Sequence, residues 1–114
     1  MTLDPAQWGV RLERVGAAIV VAPAGVLDGD QVDRLRRVLR SREASYTSAV
    51  IDLRELEGIG PGGVELLVEL QARAQDVAFV AGPTARAELE AAGVAGELSL
   101  HDDIEPLLEP HRGA

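Results

Sequence analysis

Three short aliphatic stretches, residues 17–22 (AAIVVA), 49–53 (AVIDL) and 77–81 (VAFVA), govern what this chain can fold into. They are too short for buried helices and lack the alternation of a half-wet strand. They therefore read as strands covered on both faces, which is the pattern of a parallel sheet flanked by helices. The segments between them supply those helices. From Asp30 to Ser41 the apolar residues Val32, Leu35, Val38 and Leu39 recur at helical spacing, with arginines mostly opposite. Pro61 suits the first position of a second helix reaching about residue 75, because its missing N–H costs nothing there. Thr84 reads as the N-cap of a third helix and Gly93 as its stop.

The flanks complete the order. Val10-Arg11-Leu12-Glu13 alternates and predicts a half-exposed strand, turning at Gly16 into the stretch 17–22. Residues 97–100 read as a short strand. Asp102 and Asp103 then open a last short helix through Leu108, where a helix N-terminus favours negative charge. The expected fold is α/β, a mixed sheet with flanking helices in the order β-β-α-β-α-β-α-β-α. It is expected as a single domain over residues 1–114, with its core at about 10–108.

Charge and composition narrow the function. The net charge is −8 and the sequence pI about 4.6, which disfavours partners that need phosphate neutralisation, so no nucleic acid is expected. Arg34, Arg36, Arg37, Arg40 and Arg42 share one segment, but Asp30 and Asp33 are interleaved and no aromatic ring is there to stack on bases. With no cysteine, thiolate catalysis and thiolate metal sites are excluded. Met1-Thr2-Leu3-Asp4-Pro5 has neither the basic nor the apolar region of a signal peptide, and no apolar run is long enough to span a bilayer. A cytoplasmic protein without direct membrane insertion is expected. Only Trp8, Tyr46 and Phe79 are aromatic, so the core must be aliphatic.

Gly58, Gly60 and Gly63 satisfy G-x-G-x-x-G between a strand and a helix. A dinucleotide site is disfavoured on three grounds. The preceding strand ends near Leu53, the next one ends in Ala81-Gly82 without an acid for a ribose, and the second half of a dinucleotide fold is missing. Val64-Glu65 stands where a phosphate-binding loop needs Lys and Ser or Thr. What survives is generic: glycine amides at a helix N-terminus can receive an anion or a partner's carboxylate, or can simply form a tight turn. His101 and His111 lie near Asp102, Asp103 and Glu109, an arrangement more typical of a charged surface than of a metal site. No hydroxyl sits in a nucleophile elbow. No catalytic residue, cofactor or metal is expected, and the chain reads as a non-enzyme.

Four stretches resemble the STAS domain of bacterial anti-sigma-factor antagonists and sulfate transporters, across about 10–108. Ala24-Gly25-Val26-Leu27-Asp28 resembles the family's Gly-Glu-Leu-Asp, and Val50-Ile51-Asp52-Leu53 its strand ending in Asp-Leu. Residues 59–67 occupy the place of its Asp-Ser-Ser-Gly-Leu-Gly signature. Ala81-Gly82-Pro83-Thr84, with Leu89 and Ala92-Gly93-Val94, is similar to its last strand and third helix. The resemblance implies a non-catalytic protein-binding module. Aligned on Gly63, however, Gly62 falls at the family's phosphorylated serine, Pro61 at the serine before it and Gly60 at the aspartate. Val26 replaces a glutamate and Asp28 keeps its aspartate.

With no hydroxyl at Gly62, release by phosphorylation cannot operate there. The hydroxyls left to carry a relocated phosphate are those of Ser45, Tyr46, Thr47, Ser48 and Thr84. The implied partner is a protein, either an anti-sigma factor with a kinase fold or a transporter subunit. A small-ligand or nucleotide sensor using the glycine amides is the remaining alternative. The expected partner-binding surface comprises Asp28, Gly60, Pro61, Gly62, Gly63 and the helix shoulder at Val64 and Val68. On that helix Leu66, Leu67, Leu70 and Ala74 are expected on one side, with Glu65, Glu69 and Arg73 on the wet side.

Overall fold

In the computed structural model the described residues are 10–42, 46–73 and 76–112. The elements are strands β1 (Val10–Val15), β2 (Ala18–Pro23) and β3 (Gly25–Leu27), helix α1 (Asp30–Ser41), strands β4 (Ser48–Asp52) and β5 (Leu56–Ile59), helix α2 (Pro61–Arg73), strand β6 (Val77–Val80), helix α3 (Pro83–Ala91), strand β7 (Leu100–His101) and the short helix α4 (Glu105–Leu108). Single turns of 3₁₀ helix lie at Ala95–Glu97 and Glu109–His111.

Five strands form the main sheet in the order β1-β2-β4-β6-β7, antiparallel only between β1 and β2. The three aliphatic stretches are its three inner strands. β2 and β4 are buried at every residue, which is why their sequences show no alternation. The sheet separates two apolar layers. Ile19, Val21, Ala49, Ile51, Val77 and Phe79 face the larger one, with Leu35, Leu39, Leu66, Leu67 and Leu89 from the helices. Val20, Val50 and Val80 face the smaller one, closed by Leu108 with Val15, Ile104 and Leu107 against it. Among the described residues Phe79 is the largest wholly buried side chain and Tyr46 is half-buried; Trp8 lies outside them.

β3 and β5 form a second, parallel two-stranded sheet that the sequence pattern did not predict. Its strands have three and four residues and contain Gly25 and Gly58, which read as turn punctuation. Neither would hold an extended form alone; each is held by the other. The "glycine-rich loop" of 58–63 is therefore mostly regular structure. Gly58 and Ile59 belong to β5, and Pro61 already begins α2.

Two further expectations shift. Residues 97–100 are not a strand: Glu97 ends a 3₁₀ turn and the strand begins at Leu100. Gly82 caps α3 and Pro83 opens it, so Thr84 lies inside the helix. The second helix is described to Arg73, and Ala74 and Gln75 lie outside the described residues. Gly93, at φ 76°, ends α3 as expected.

Candidate functional site

The end of β3, the end of β5 and the start of α2 converge on Asp28. Leu27 pairs with Ile59 in the small sheet, and the Gly60 N–H donates to the Leu27 carbonyl at 3.0 Å. That bond turns the chain directly into α2, whose first helical bond runs from the Val64 N–H to the Gly60 carbonyl at 3.0 Å. Asp28 follows Leu27 and reaches across: its Oδ1 accepts the Gly62 N–H at 3.1 Å. α2 has no acidic residue in its own first turn, so Asp28 supplies from another element both a cap and the negative charge its N-terminus favours.

This answers what the glycines are for. A Cβ at Gly63 would run into the Leu27 backbone carbonyl, so α2 can approach β3 this closely only with glycine there. A Cβ at Gly60 would meet the Asp28 side chain, and one at Gly62 would stand 2.6 Å from Asp28 Oδ1. None of the three has a positive φ. Close approach, not left-handed backbone, is the reason for glycine. The Gly60 and Gly62 amides that the sequence offered to an external anion are thus engaged by Leu27 and Asp28 within the chain.

Pro61 and Asp28 are exposed, Gly60 and Gly62 intermediate, and Gly63 is buried. Val64 and Val68 are half-buried and pack against the larger apolar layer, while Leu66 and Leu67 are wholly buried. Val26, 57% exposed, is the most open apolar side chain at this end among the described residues, and it pairs in register with Gly58. Gly58 offers no side chain to cover it, and Glu88 Oε1 stands 3.8 Å from where a Cβ would be. The substitution of Val26 for the glutamate of the resembled family was the available signal; the missing one was the strand that aligns it with Gly58. Glu69 is only partly exposed. It pairs with Arg36 of α1 and, at 3.6 Å, with Arg73, joining the two helices.

A second polar centre was not foreseen. Asp52, at the end of β4, is 1% exposed and is held by Arg54 through Nε and Nη2, both at 2.9 Å, and through the Arg54 N–H at 3.0 Å. Burial by itself would push the Asp52 carboxyl up; the hydrogen bonds and charge of Arg54, with Arg11 nearby, outweigh it and hold the group below its ordinary value. Arg54 is raised in turn, chiefly by its bond to Asp52. The two border an open cleft of about 260 Å³ with Arg11, Ile104, Leu108 and Arg112. Each of its arginines is matched: Arg11 to Glu55, Arg54 to Asp52 and Arg112 to Glu105. The cleft is therefore charge-compensated and not an anion site. His101 Nε2 lies 3.0 Å from Ser99 Oγ, and the described residues contain no cluster of three or more metal-ligating side chains. No helix among them is long and apolar enough to cross a membrane.

No protein-family model matches the sequence, and no curated protein matches it. Solved structures do resemble it. An anti-sigma factor antagonist from Mycobacterium paratuberculosis superposes with a TM-score of 0.77 at 21% identity, covering 90% of this chain and 92% of that one. The anti-sigma factor antagonist SpoIIAA in its unphosphorylated form gives 0.66 at 22% identity, over 86% of this chain and 92% of that one. The Bacillus cell fate determinant SpoIIAA in its phosphorylated form gives 0.61 at 22%, over 86% and 96%. The chain has the SpoIIAA-like fold of STAS domains, and its strand and helix order follows theirs broadly.

Proposed function

We propose that this chain is a non-catalytic, STAS-type protein-binding module that engages its partner through the Asp28–α2 shoulder without a phosphorylation switch there. The observation that carries this reading is the capped junction itself. Residues 58–63 hold no hydroxyl, and the Gly62 amide is bonded to Asp28. Such a surface presents a fixed shape, with Pro61 and Val26 outward and Asp28 charged beside them, and it offers nothing to a kinase. Likeness of fold to anti-sigma factor antagonists supports a protein partner of the anti-sigma-factor kind. A cytoplasmic accessory role on a transporter is the second reading. The internal use of the Gly60 and Gly62 amides weighs against a small-anion sensor.

The test begins with capture of the partner from the native host, followed by calorimetric titration with the purified pair. Gly62→Glu adds charge and bulk beside Asp28, and Asp28→Arg reverses the exposed charge. Each is expected to weaken binding at least about tenfold, some 1.4 kcal/mol, once thermal melting shows the variant folded. Gly62→Ser should bind as the parent does and become a substrate if the partner is a kinase. Unchanged affinity in both charge variants would remove the interface from this face.

A further inference from the structure

β1 is one of the two edge strands of the main sheet, and among the described residues no strand pairs with its far edge. Its four central residues, Arg11, Leu12, Glu13 and Arg14, are all exposed. Leu12, at 37%, is one of two large apolar side chains of the described residues left at the surface. Folded proteins usually blunt such an edge with proline, a bulge or brevity. β1 has none of these: its register with β2 runs unbroken from Val10 opposite Pro23 to Val15 opposite Ala18.

The direction of its backbone follows from β2. Pro23 has no N–H, so Val10 and Pro23 form a pair without ladder hydrogen bonds. By the antiparallel alternation, so do Leu12 and Val21. The N–H and C=O of Leu12 therefore point away from β2, to the open edge. Arg11 and Glu13 bond inward to Ala22 and Val20, and their side chains share the opposite face of the sheet from Leu12.

We propose that two copies of this chain pair antiparallel through β1, on a twofold axis passing at Leu12. In that register the two Leu12 residues exchange both backbone hydrogen bonds, and their side chains meet beside the buried Val21 of each copy. Arg11 of each copy then lies opposite Glu13 of the other, in the pairs where side chains come closest. The neighbouring registers are excluded by charge: an axis at Arg11 sets arginine against arginine, and one at Glu13 sets glutamate against glutamate. An axis between residues would place outward-bonding groups against inward-bonding ones. Charges that ordinarily protect an edge here select one self-complementary pairing and produce a continuous ten-stranded sheet. Arg11 also holds Glu55 at 2.9 Å; both side chains are about half exposed, and a guanidinium has donors enough for both carboxylates.

Sedimentation equilibrium of the full chain, from about 10 μM to 1 mM, reads the association directly. A monomer–dimer equilibrium is expected. Glu13→Arg should weaken it at least tenfold by setting Arg11 against arginine, and the double variant Arg11→Glu, Glu13→Arg should recover it to within about threefold. In the parent chain, amide exchange at Leu12 should slow as concentration rises, while the Arg11 and Glu13 amides, already bonded to β2, stay unchanged. A monomer at every concentration would overturn the pairing. So would a double variant no better than the single, or a dimer whose Leu12 amide exchanges at the monomer rate. The exchange measurement needs no substitution, so it decides the matter even if a variant folds poorly.

Discussion

Asp52 shows how one residue can combine an unfavourable position with a favourable charge. A carboxylate 1% exposed among β2, β4 and β6 would normally take up a proton. Arg54, two residues on, folds back and bonds it three times, which keeps it ionised. The native value therefore lies below that of the unfolded chain. Above the unfolded value, near pH 4, the group contributes its full stabilisation; as pH falls through the depressed native value, the contribution is lost. Asp52→Asn should thus destabilise the protein at pH 7 by about 1–3 kcal/mol, measured in urea, because Arg54 loses its charge-assisted bonds. The same variant should show a shallower loss of stability as the pH falls below about 4. Equal acid slopes for variant and parent would mean the pair does not act this way. The resemblance marked Asp52 as the end of a strand, but nothing in the sequence showed its pairing, since the fold-back of Arg54 depends on the bend after β4.

At the scale of elements, the docking of α2 on β3 is set by a single missing atom. Gly63→Ala would drive a methyl into the Leu27 carbonyl, and a backbone oxygen that also accepts the Gly60 N–H cannot swing aside. The helix must lift from the strand, at a cost of about 3 kcal/mol or more. Gly62→Ala meets only the far end of Asp28, and about 1 kcal/mol is expected there, the worth of the cap that is disturbed. Thermal melting of the two variants side by side checks the ordering. The regular elements were legible where a period was sustained: α1 lies at 30–41 as its apolar spacing indicates, and the three inner strands at their aliphatic stretches. What the sequence hid were the pieces that exist only in pairs. Leu56–Ile59 has no alternation to recognise, and Val26 became an exposed rim only when Gly58 came to lie beside it. The resemblance singled out Asp28, but its cap on Gly62 spans 34 positions and no local pattern carries it.

Across the whole molecule the two faces of the main sheet are unequally covered. One carries the larger apolar layer beneath the long helices, and the other is closed mainly by Leu108 and its neighbours on α4, a helix of four residues. β4 is buried along its whole length, between β2 and β6. Amide exchange should therefore rank the molecule, with β2 and β4 opening only on global unfolding and the α4 amides opening locally, orders of magnitude faster. An α4 as protected as β4 would mean that the smaller layer is stronger than its composition implies.

The close packing around Asp28 also bears on heritable change. Position 63 is closed to every other residue by a backbone oxygen, whereas position 62 has an ordinary φ and faces only the tip of one side chain. A hydroxyl can therefore enter at 62 in one substitution, at the cost of a shift in the tip of Asp28, while the fold and the strand pairing stay in place. In this scaffold a phosphoacceptor is a detachable trait, open to gain and loss along a lineage without rebuilding the protein that carries it.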